Sequence, residues 1–146
     1  MKVEIHIDPS YTEPELILRT AAMTRELSDL VRTLSEDPPL LITGSQYDRI
    51  ELLEPADLIR IYAASGKVFA VTAKGEYQLR LRLYELEEQL DRHQFVRISH
   101  SEIIHLKKVE SFDLSLTGTI CVRLSDGTAS FVSRRYVAKI KKILGL

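Results

Sequence analysis

Residues 58–79 read LIRIYAASGKVFAVTAKGEYQL, and this stretch indicates the fold class most clearly. Two segments rich in apolar and β-branched residues, Leu58–Ala64 and Val68–Thr72, flank the turn Ser65-Gly66-Lys67, which predicts a β-hairpin. A second short turn leads into a third segment of the same kind, Glu76–Leu79. We therefore expect a mainly β protein.

The β pattern continues on both sides of this stretch. Further strands are predicted at 40–43, 50–53, 109–114, 119–124 and 129–132. An amphipathic helix is predicted over 83–90, and Ser133 is expected to cap a C-terminal helix. Short helices therefore accompany the strands, which makes the expected fold α+β overall.

The N-terminal segment changes its pattern twice. Apolar and polar residues alternate over 3–8, which predicts a short half-buried strand. Over 13–35 the apolar residues recur at helical spacing, and Asp37-Pro38-Pro39 is the expected stop. We therefore expect two parts, an N-terminal strand with a long amphipathic helix in residues 1–39 and a β domain in residues 40–146.

Composition excludes several classes of protein. The 146 residues, 45% hydrophobic and 28% charged, suffice for one domain with a core. No apolar run approaches the roughly 20 residues that span a bilayer, and the N-terminus lacks the apolar stretch of a signal peptide. Cys121 is the single cysteine, which excludes an intrachain disulfide. These features predict a cytoplasmic protein.

The sequence contains no recognisable catalytic or metal-binding motif. The four histidines and the one cysteine lack metal-ligand spacing. Nucleophile-elbow, P-loop and dinucleotide-binding patterns are missing as well. We therefore expect no catalytic residue, no metal and no cofactor, and we expect a binding protein instead of an enzyme.

Charge is strongly polarised along the chain. Residues 97–146 carry nine Lys and Arg against four Asp and Glu, a net charge of +5, whereas residues 1–40 carry four against eight, or −4. Residues 41–96 carry seven against nine, or −2, so the overall charge of −1 hides a basic C-terminal third. A basic face attracts polyanions, because their binding depends on the local charges that displace counterions.

Three short segments combine hydroxyl or backbone donors with a cationic or imidazole side chain. They are the predicted hairpin tip Ser65-Gly66-Lys67, the segment Arg97–Ser101 after the short helix, and Ser133–Tyr136 at the head of the last helix. Phosphate oxygens accept hydrogen bonds from such donors, and an arginine fork has the geometry to read guanine in a major groove. These segments therefore predict contact loops for DNA.

The ordered motifs of the C-terminal two thirds resemble those of a known family. The runs LYELEEQL (83–90), FVRISHSEIIHLKKVESF (95–112) and DGTASFVSRRYVAKIKKIL (126–144) are similar to the LytTR DNA-binding domain of bacterial transcriptional regulators. The resemblance extends from about Leu40 to the C-terminus. It implies an elongated β-sandwich core with short helices, which binds DNA through loops set into successive grooves and not through a recognition helix.

The resemblance also implies roles for individual residues. His100 falls where family members place a base-contacting Asn, Arg or Lys, Arg135 falls on a C-terminal arginine that reaches the major groove, and Lys67 lies near the first contact loop. His100 and the apolar Val68 depart from the family pattern, so the DNA sequence read here is expected to differ. The expected DNA-binding residues are Lys67, Arg97, Ser99, His100, Ser101, Ser133, Arg134 and Arg135, of which Arg97, Arg134 and the three serines are expected to anchor phosphates.

The best-known architecture of the family begins with a phosphoreceiver domain, for which the roughly 40 N-terminal residues are too few. This chain therefore resembles the receiver-less regulators. Several of those are encoded beside a small membrane protein that modulates them, so the resemblance implies a partner of that kind. We accordingly predict a cytoplasmic transcriptional regulator that binds duplex DNA.

The long N-terminal helix has two interpretations, dimerisation or packing on its own domain. Its apolar side chains fall at heptad-like spacing, at Leu16, Met23, Leu27, Leu30 and Leu34. Three heptads are close to the lower limit for a coiled coil, and the same stripe would also suit packing on the β domain. We favour a homodimer, because paired half-sites raise DNA affinity through effective concentration.

The main alternative function is a protein-interaction module, in which the N-terminal helix and an exposed edge strand dock a regulatory partner without DNA readout. RNA binding is a third interpretation, and it usually requires exposed aromatic residues that stack on bases. Aromatic residues make up 7% of this chain and fall mostly in predicted strands, which does not favour RNA. Salt-dependent affinity for duplex DNA separates these functions.

Overall fold

The computed structural model describes residues 1–35, 41–115 and 117–146. The chain forms two compact units, Met1–Pro38 and Pro39–Leu146. None of the helices in the described ranges has the length and hydrophobicity that a bilayer-spanning segment needs.

Within residues 1–35 the structure has one helix, α1, over Arg25–Leu34. It begins there because the Thr24 hydroxyl oxygen accepts a hydrogen bond from the backbone N–H of Leu27 at 3.2 Å, which satisfies one free donor of the first turn. No residue of α1 is buried. Its apolar residues share one face of the helix and are Leu27, Leu30, Val31 and Leu34.

The predicted long helix over 13–35 is therefore wrong in its length. Residues 13–24 have no helical structure. The Thr20 hydroxyl donates a hydrogen bond to the Ala22 carbonyl at 2.8 Å, and such a local side-chain bond offers the backbone an alternative to the helix. The predicted stop at Asp37-Pro38-Pro39 lies outside the described residues.

The predicted N-terminal strand over 3–8 is also wrong. Residues 1–8 have no regular secondary structure. The apolar side chains that were expected to be half-buried, those of Val3, Ile5 and Ile7, are 78%, 81% and 92% exposed. An alternating pattern forms a strand only where a neighbouring strand satisfies its backbone donors and acceptors, and this segment has no such neighbour in the described residues.

Residues 41–115 and 117–146 of the second unit form two antiparallel sheets and two α-helices. Its strands are β1 (Ile42–Gln46), β2 (Arg49–Leu53), β3 (Leu58–Ala64), β4 (Lys67–Thr72), β5 (Gly75–Leu79), β6 (Phe95–Ser99), β7 (Glu102–His105), β8 (Val109–Asp113), β9 (Ile120–Leu124) and β10 (Ala129–Val132). Helix α2 spans Leu83–Gln89 and helix α3 spans Arg134–Ile143. The large sheet has the order β2-β1-β5-β4-β3-β7-β6, and the small sheet has the order β10-β9-β8.

The prediction of a mainly β fold with short helices is confirmed. The β3–β4 hairpin, helix α2 and the C-terminal helix α3 lie where the sequence predicts them. Strands β6 and β7 were not predicted, because Arg97–Ser101 was expected to be a loop. All residues of β6 except Ser99 are buried, so both faces of the strand are covered and it lacks the alternation that marks a half-buried strand.

Two hydrophobic cores hold the second unit together. One lies between the large sheet and α2, and its fully buried members include Ile61, Leu86 and Ile103. The other joins the opposite face of the large sheet to the small sheet and α3, and includes Val122 and Ile140. Full burial of one such side chain is worth roughly 1.5–3 kcal/mol, so both helices are firmly attached to the large sheet.

Candidate nucleic-acid interface

The first candidate contact is the tip of the β3–β4 hairpin. Ser65 and Gly66 both have positive φ, 53° and 75°, which is the backbone of a two-residue type I′ turn. This turn matches the twist of the strands, so β3 and β4 stay paired up to the residues on either side of it, Ala64 and Lys67. The Lys67 side chain is exposed at the tip, where sequence reasoning expected it.

The second candidate contact is the tight turn between β6 and β7, which runs from Ser99 to Glu102. The Ser99 hydroxyl oxygen accepts a hydrogen bond from the backbone N–H of Ser101 at 3.2 Å, and the two serine hydroxyls lie 3.4 Å apart. The exposed residue at the tip of the turn is His100. Ser101 is exposed as well, whereas Ser99 is half-buried.

Arg97 lies under this turn, inside the protein. Its side chain is 10% exposed. Its Nε donates to the Ser99 carbonyl at 2.8 Å, one terminal nitrogen donates to the His100 carbonyl, and the other pairs with a carboxylate oxygen of Glu87 at 2.8 Å. The structure thus departs from the prediction that Arg97 anchors a phosphate, because a buried guanidinium that is bonded on three sides is not available to DNA.

The third candidate contact is the first turn of α3. Ser133, Arg134 and Arg135 are all exposed, and no acidic residue lies in this turn. Ser133 occupies the predicted N-cap position, but its hydroxyl makes no capping bond. The Arg135 guanidinium carbon lies 5.7 Å from the ring centroid of Tyr136, within the range of a cation–π contact.

The two adjacent arginines at this helix start are electrostatically unfavourable by themselves. The N-terminal end of a helix carries partial positive charge, which repels cations and attracts anions. Neither Arg134 nor Arg135 forms an ion pair in residues 1–35, 41–115 and 117–146. An external anion would therefore relieve the repulsion, and a phosphate group has the required charge.

Backbone hydrogen bonds bring the three candidate contacts together. The N–H of Ala63, beside the hairpin tip, donates to the Ser101 carbonyl at 2.8 Å. The N–H of Ser133 donates to the Ile98 carbonyl, just before the β6–β7 turn, also at 2.8 Å. The turn therefore lies between the hairpin tip and the head of α3. We call the surface formed by Lys67, Ser99–Ser101 and Ser133–Arg135 the contact edge.

The acidic residue that follows the turn, Glu102, is neutralised inside the protein. Its carboxylate accepts a hydrogen bond from the Ser130 hydroxyl at 2.7 Å and lies 3.5 Å from a guanidinium nitrogen of Arg60. The Glu102 side chain is only 14% exposed. Its negative charge is thus paired between the two sheets, by Arg60 of the large sheet and Ser130 of the small sheet.

Sequence reasoning predicted the three candidate segments that the fold brings together, but it missed Glu87 as the partner of Arg97. The signal that could have revealed this partner is an arginine within the apolar run Phe95–Ile98. A charged residue in a run that is otherwise buried requires an opposite charge nearby. Glu87 provides it from α2, ten positions earlier in the chain.

The sequence and the fold both match known proteins. The family model of the LytTr DNA-binding domain matches residues 48–145. An uncharacterized HTH-type transcriptional regulator of Staphylococcus aureus strain NCTC 8325 is 31% identical over 147 residues, which cover 100% of this chain and 99% of that protein. A regulator of the same description from strain MRSA252 is 30% identical over the same length.

Among solved structures, the LytTr DNA-binding domain of a protein from Bacillus cereus has the same fold, with a TM-score of 0.70 at 19% identity. The match covers 73% of this chain and 97% of that domain. The Staphylococcus relatives are described as regulators of the helix-turn-helix type. In this chain, strands lie between α1 and α2 and between α2 and α3. Because the family model matches two thirds of the sequence and the relatives match its full length, the chain belongs to the LytTr DNA-binding domain family.

Proposed function

We propose that this protein is a transcriptional regulator that binds duplex DNA sequence-specifically through the contact edge. Family membership supports the general part of this conclusion, that the protein is a DNA-binding regulator of transcription. The observation that carries the choice of surface is the convergence of three segments, each with an exposed cation or imidazole, through the bonds Ala63 to Ser101 and Ser133 to Ile98.

The proposal divides the contact edge into two kinds of contact. Phosphate anchoring is assigned to Arg134 and to the hydroxyls of Ser99, Ser101 and Ser133, because such groups donate to phosphate oxygens without reading sequence. Base reading is assigned to Arg135, His100 and Lys67, whose side chains are exposed and can reach into a groove. Arg97 is not included among the DNA contacts, because its side chain is buried.

In this proposal α3 does not act as a recognition helix. Ile140 is fully buried in the second core, which fixes the helix against the sheets. Only its first turn belongs to the contact edge. The exposed cations further along the helix, Lys139, Lys141 and Lys142, contribute long-range attraction for the DNA polyanion.

We further propose that α1 holds a homodimer together. A ten-residue helix is marginal in water, because isolated helices shorter than about 12–15 residues rarely persist without packing. None of its residues is buried, and Val31 and Leu34 are 45% and 53% exposed. Pairing with α1 of a second copy would cover this stripe and set two contact edges on one duplex.

Two further features of the proposal rest on other grounds. A DNA-binding regulator acts where the chromosome is, so we place the protein in the bacterial cytoplasm. The small membrane protein that modulates some receiver-less regulators stays a prediction from the family resemblance.

Selection of bound sequences from a random duplex pool tests the proposed function. We expect enrichment of one motif, whose affinity falls as salt rises because phosphate contacts release counterions. A homodimer should select two half-sites with centres one helical turn apart, about 10–10.5 base pairs, or a multiple of it. No enrichment, together with affinity that does not change with salt, would overturn the proposal and favour the protein-interaction function.

A further inference from the structure

We infer that Arg97 and Glu87 form a clamp that sets the shape of the β6–β7 turn, and that this clamp determines DNA specificity without touching DNA. The inference deepens the proposed function and rests on it, because it concerns the turn that presents His100. It makes Arg97 a positioning residue, in place of the phosphate anchor expected from the sequence.

The clamp is defined by where the three donor groups of Arg97 point. Two of them bind carbonyl oxygens of consecutive turn residues, Ser99 and His100, and so hold two peptide planes in one orientation. The third donor group binds Glu87 at 2.8 Å. The orientation of the His100 side chain follows from the backbone that these bonds hold, because a side chain leaves the backbone in a direction set by φ and ψ.

Glu87 holds the Arg97 guanidinium from a rigid part of the protein. It projects from α2, and α2 is anchored in the first core by Leu83 and Leu86, which are 6% and 0% exposed. The Glu87 side chain is 43% exposed, so it lies between the buried guanidinium and solvent. A guanidinium taken out of water requires a paired charge, and Glu87 meets that requirement.

Only arginine suits this arrangement. Its planar guanidinium presents five donors in a rigid fork, which lets one side chain serve two carbonyls and a carboxylate that lie in different directions. Lysine keeps the charge but has a single nitrogen on a flexible stem. The substitution Arg97→Lys should therefore free the turn while leaving the net charge of the protein unchanged.

The inference is distinct from a role in phosphate binding. A phosphate anchor contributes equally to all DNA sequences, since phosphates are the same at every base step. A residue that orders the turn contributes to affinity only where His100 must meet the bases in a defined geometry. The clamp therefore affects the difference in affinity between a specific and a non-specific duplex.

The test compares Arg97→Lys, Glu87→Gln and the matched control Glu88→Gln, a neighbour of Glu87 on α2 that is exposed. Affinity is measured for the selected duplex and for a scrambled duplex. We expect Arg97→Lys to lower affinity for the selected duplex about tenfold. Without the bonds from Arg97, binding must fix the backbone of about one additional residue, and the entropy cost of doing so corresponds to about this factor. Glu87→Gln should have a smaller effect in the same direction, and affinity for the scrambled duplex should stay the same for Arg97→Lys.

Amide hydrogen exchange without DNA gives a second, independent readout. Exchange at Ser101, whose N–H donates to the Ser99 hydroxyl oxygen, should become faster in Arg97→Lys and Glu87→Gln, whereas exchange at Lys67 in the hairpin tip should not change. Glu88→Gln should match the wild type in both measurements. A purely structural residue would change stability and exchange throughout the domain.

Several results would overturn the inference. They are unchanged exchange at the turn, equal losses of affinity for both duplexes, or a Glu88→Gln variant that behaves like Glu87→Gln. If Arg97→Lys fails to fold, Glu87→Gln decides, because its side chain is at the solvent side of the pair. If the wild type shows no sequence preference, the proposed function and the specificity role both fail, and the exchange measurement still decides whether the clamp shapes the turn.

Discussion

Arg134 and Arg135 are neighbours in the sequence, but we expect them to make different contacts with DNA. Both are exposed in the first turn of α3. Arg135 also lies against the ring of Tyr136, which limits the directions that its guanidinium can take. The pair offers an internal control, because each substitution by alanine removes the same charge from almost the same place.

We expect Arg135→Ala to reduce affinity for the selected duplex by about 1–3 kcal/mol and to relax the preference at one base position, as the loss of a bidentate base contact does. Affinity for a scrambled duplex should change much less. Gel-shift titration with a set of single-base variants of the selected duplex measures both effects. An equal loss on every duplex would contradict base reading by Arg135.

Arg134→Ala should instead weaken binding to all duplexes alike. Because one phosphate contact is lost, the slope of log affinity against log salt should become shallower by about 1. Titrations at four or more salt concentrations provide the slope. A steady slope, or a loss confined to the selected duplex, would be incompatible with phosphate anchoring.

His105 makes stability depend on pH at the level of a single side chain. It is 1% exposed, and its Nδ1 lies 2.7 Å from the Leu58 carbonyl. A carbonyl only accepts, so Nδ1 carries the proton and Nε2 is the bare nitrogen, buried without a partner in the described residues. Burial lowers the pKa of His105 below its usual value, and the charges of Lys108 and Lys107 act in the same direction.

The sign of the effect follows from proton binding. Because the pKa of His105 is lowered in the native state, the unfolded chain binds this proton more readily, so acid favours unfolding. The contribution of His105 is complete above its ordinary pKa, near 6.5, and the free energy of unfolding decreases as pH falls from there towards the lowered pKa. Urea unfolding between about pH 5 and pH 7.5 should show a smaller decrease for His105→Gln. Equal pH dependence in both proteins would rule out this role.

At the scale of the elements, the large sheet depends on the close approach of β1, β2 and β5 at Gly44. A Cβ atom at this position would lie 2.6 Å from Cδ1 of Leu53 and 2.7 Å from Cβ of Tyr77. We expect Gly44→Ala to lower the free energy of unfolding by about 1–3 kcal/mol, the usual cost of overpacking. Denaturant unfolding measures it, with the exposed neighbour Ser45→Ala as the control. If Gly44→Ala is as stable as the wild type, β2 and β5 can move apart to accommodate a Cβ atom, and the close approach is not required.

Local pattern predicted the hairpins well and the non-local elements poorly. The β3–β4 hairpin was predictable because Ser65-Gly66 defines its turn and the flanking residues are β-branched or apolar. Strand β6 was not predictable, because both of its faces are covered and its sequence does not alternate between apolar and polar residues. The strand over 3–8 was predicted from a correct alternation, but alternation cannot show whether a neighbouring strand exists.

The candidate contact residues were chosen from the sequence by side-chain type, and the structure adds their environment. Lys67, His100, Arg134 and Arg135 are exposed, which contact with DNA requires. Arg97 carries the same chemistry in the sequence, but the fold places it beneath the turn. Exposure depends on contacts with residues far away in the chain, here with Glu87 on α2, and no local pattern contains that information.

For the protein as a whole, we predict a dimer that depends on α1. Leu30→Asp places a charge in the apolar stripe of α1, and we expect it to convert the dimer to a monomer and weaken binding to paired half-sites. Binding to a single half-site should persist. Light scattering coupled to size exclusion measures the mass.

Leu52→Asp is the matched control for this prediction, because Leu52 is also an exposed leucine, at 69%, but lies on the edge strand β2. It should leave the dimer intact. A dimer that persists in Leu30→Asp and dissociates in Leu52→Asp would show that the large sheet, and not α1, joins the two copies.

We propose that the contact edge reads DNA sequence through three side chains from three separate segments. The most direct test is the ratio of affinities for the selected and the scrambled duplex, measured for the wild type and for the triple variant Lys67→Ala, His100→Ala and Arg135→Ala. We expect a wild-type ratio of at least about 10³, typical of specific regulators, and a ratio at least a hundredfold smaller in a triple variant that remains folded. A folded triple variant that keeps the wild-type ratio would contradict the claim.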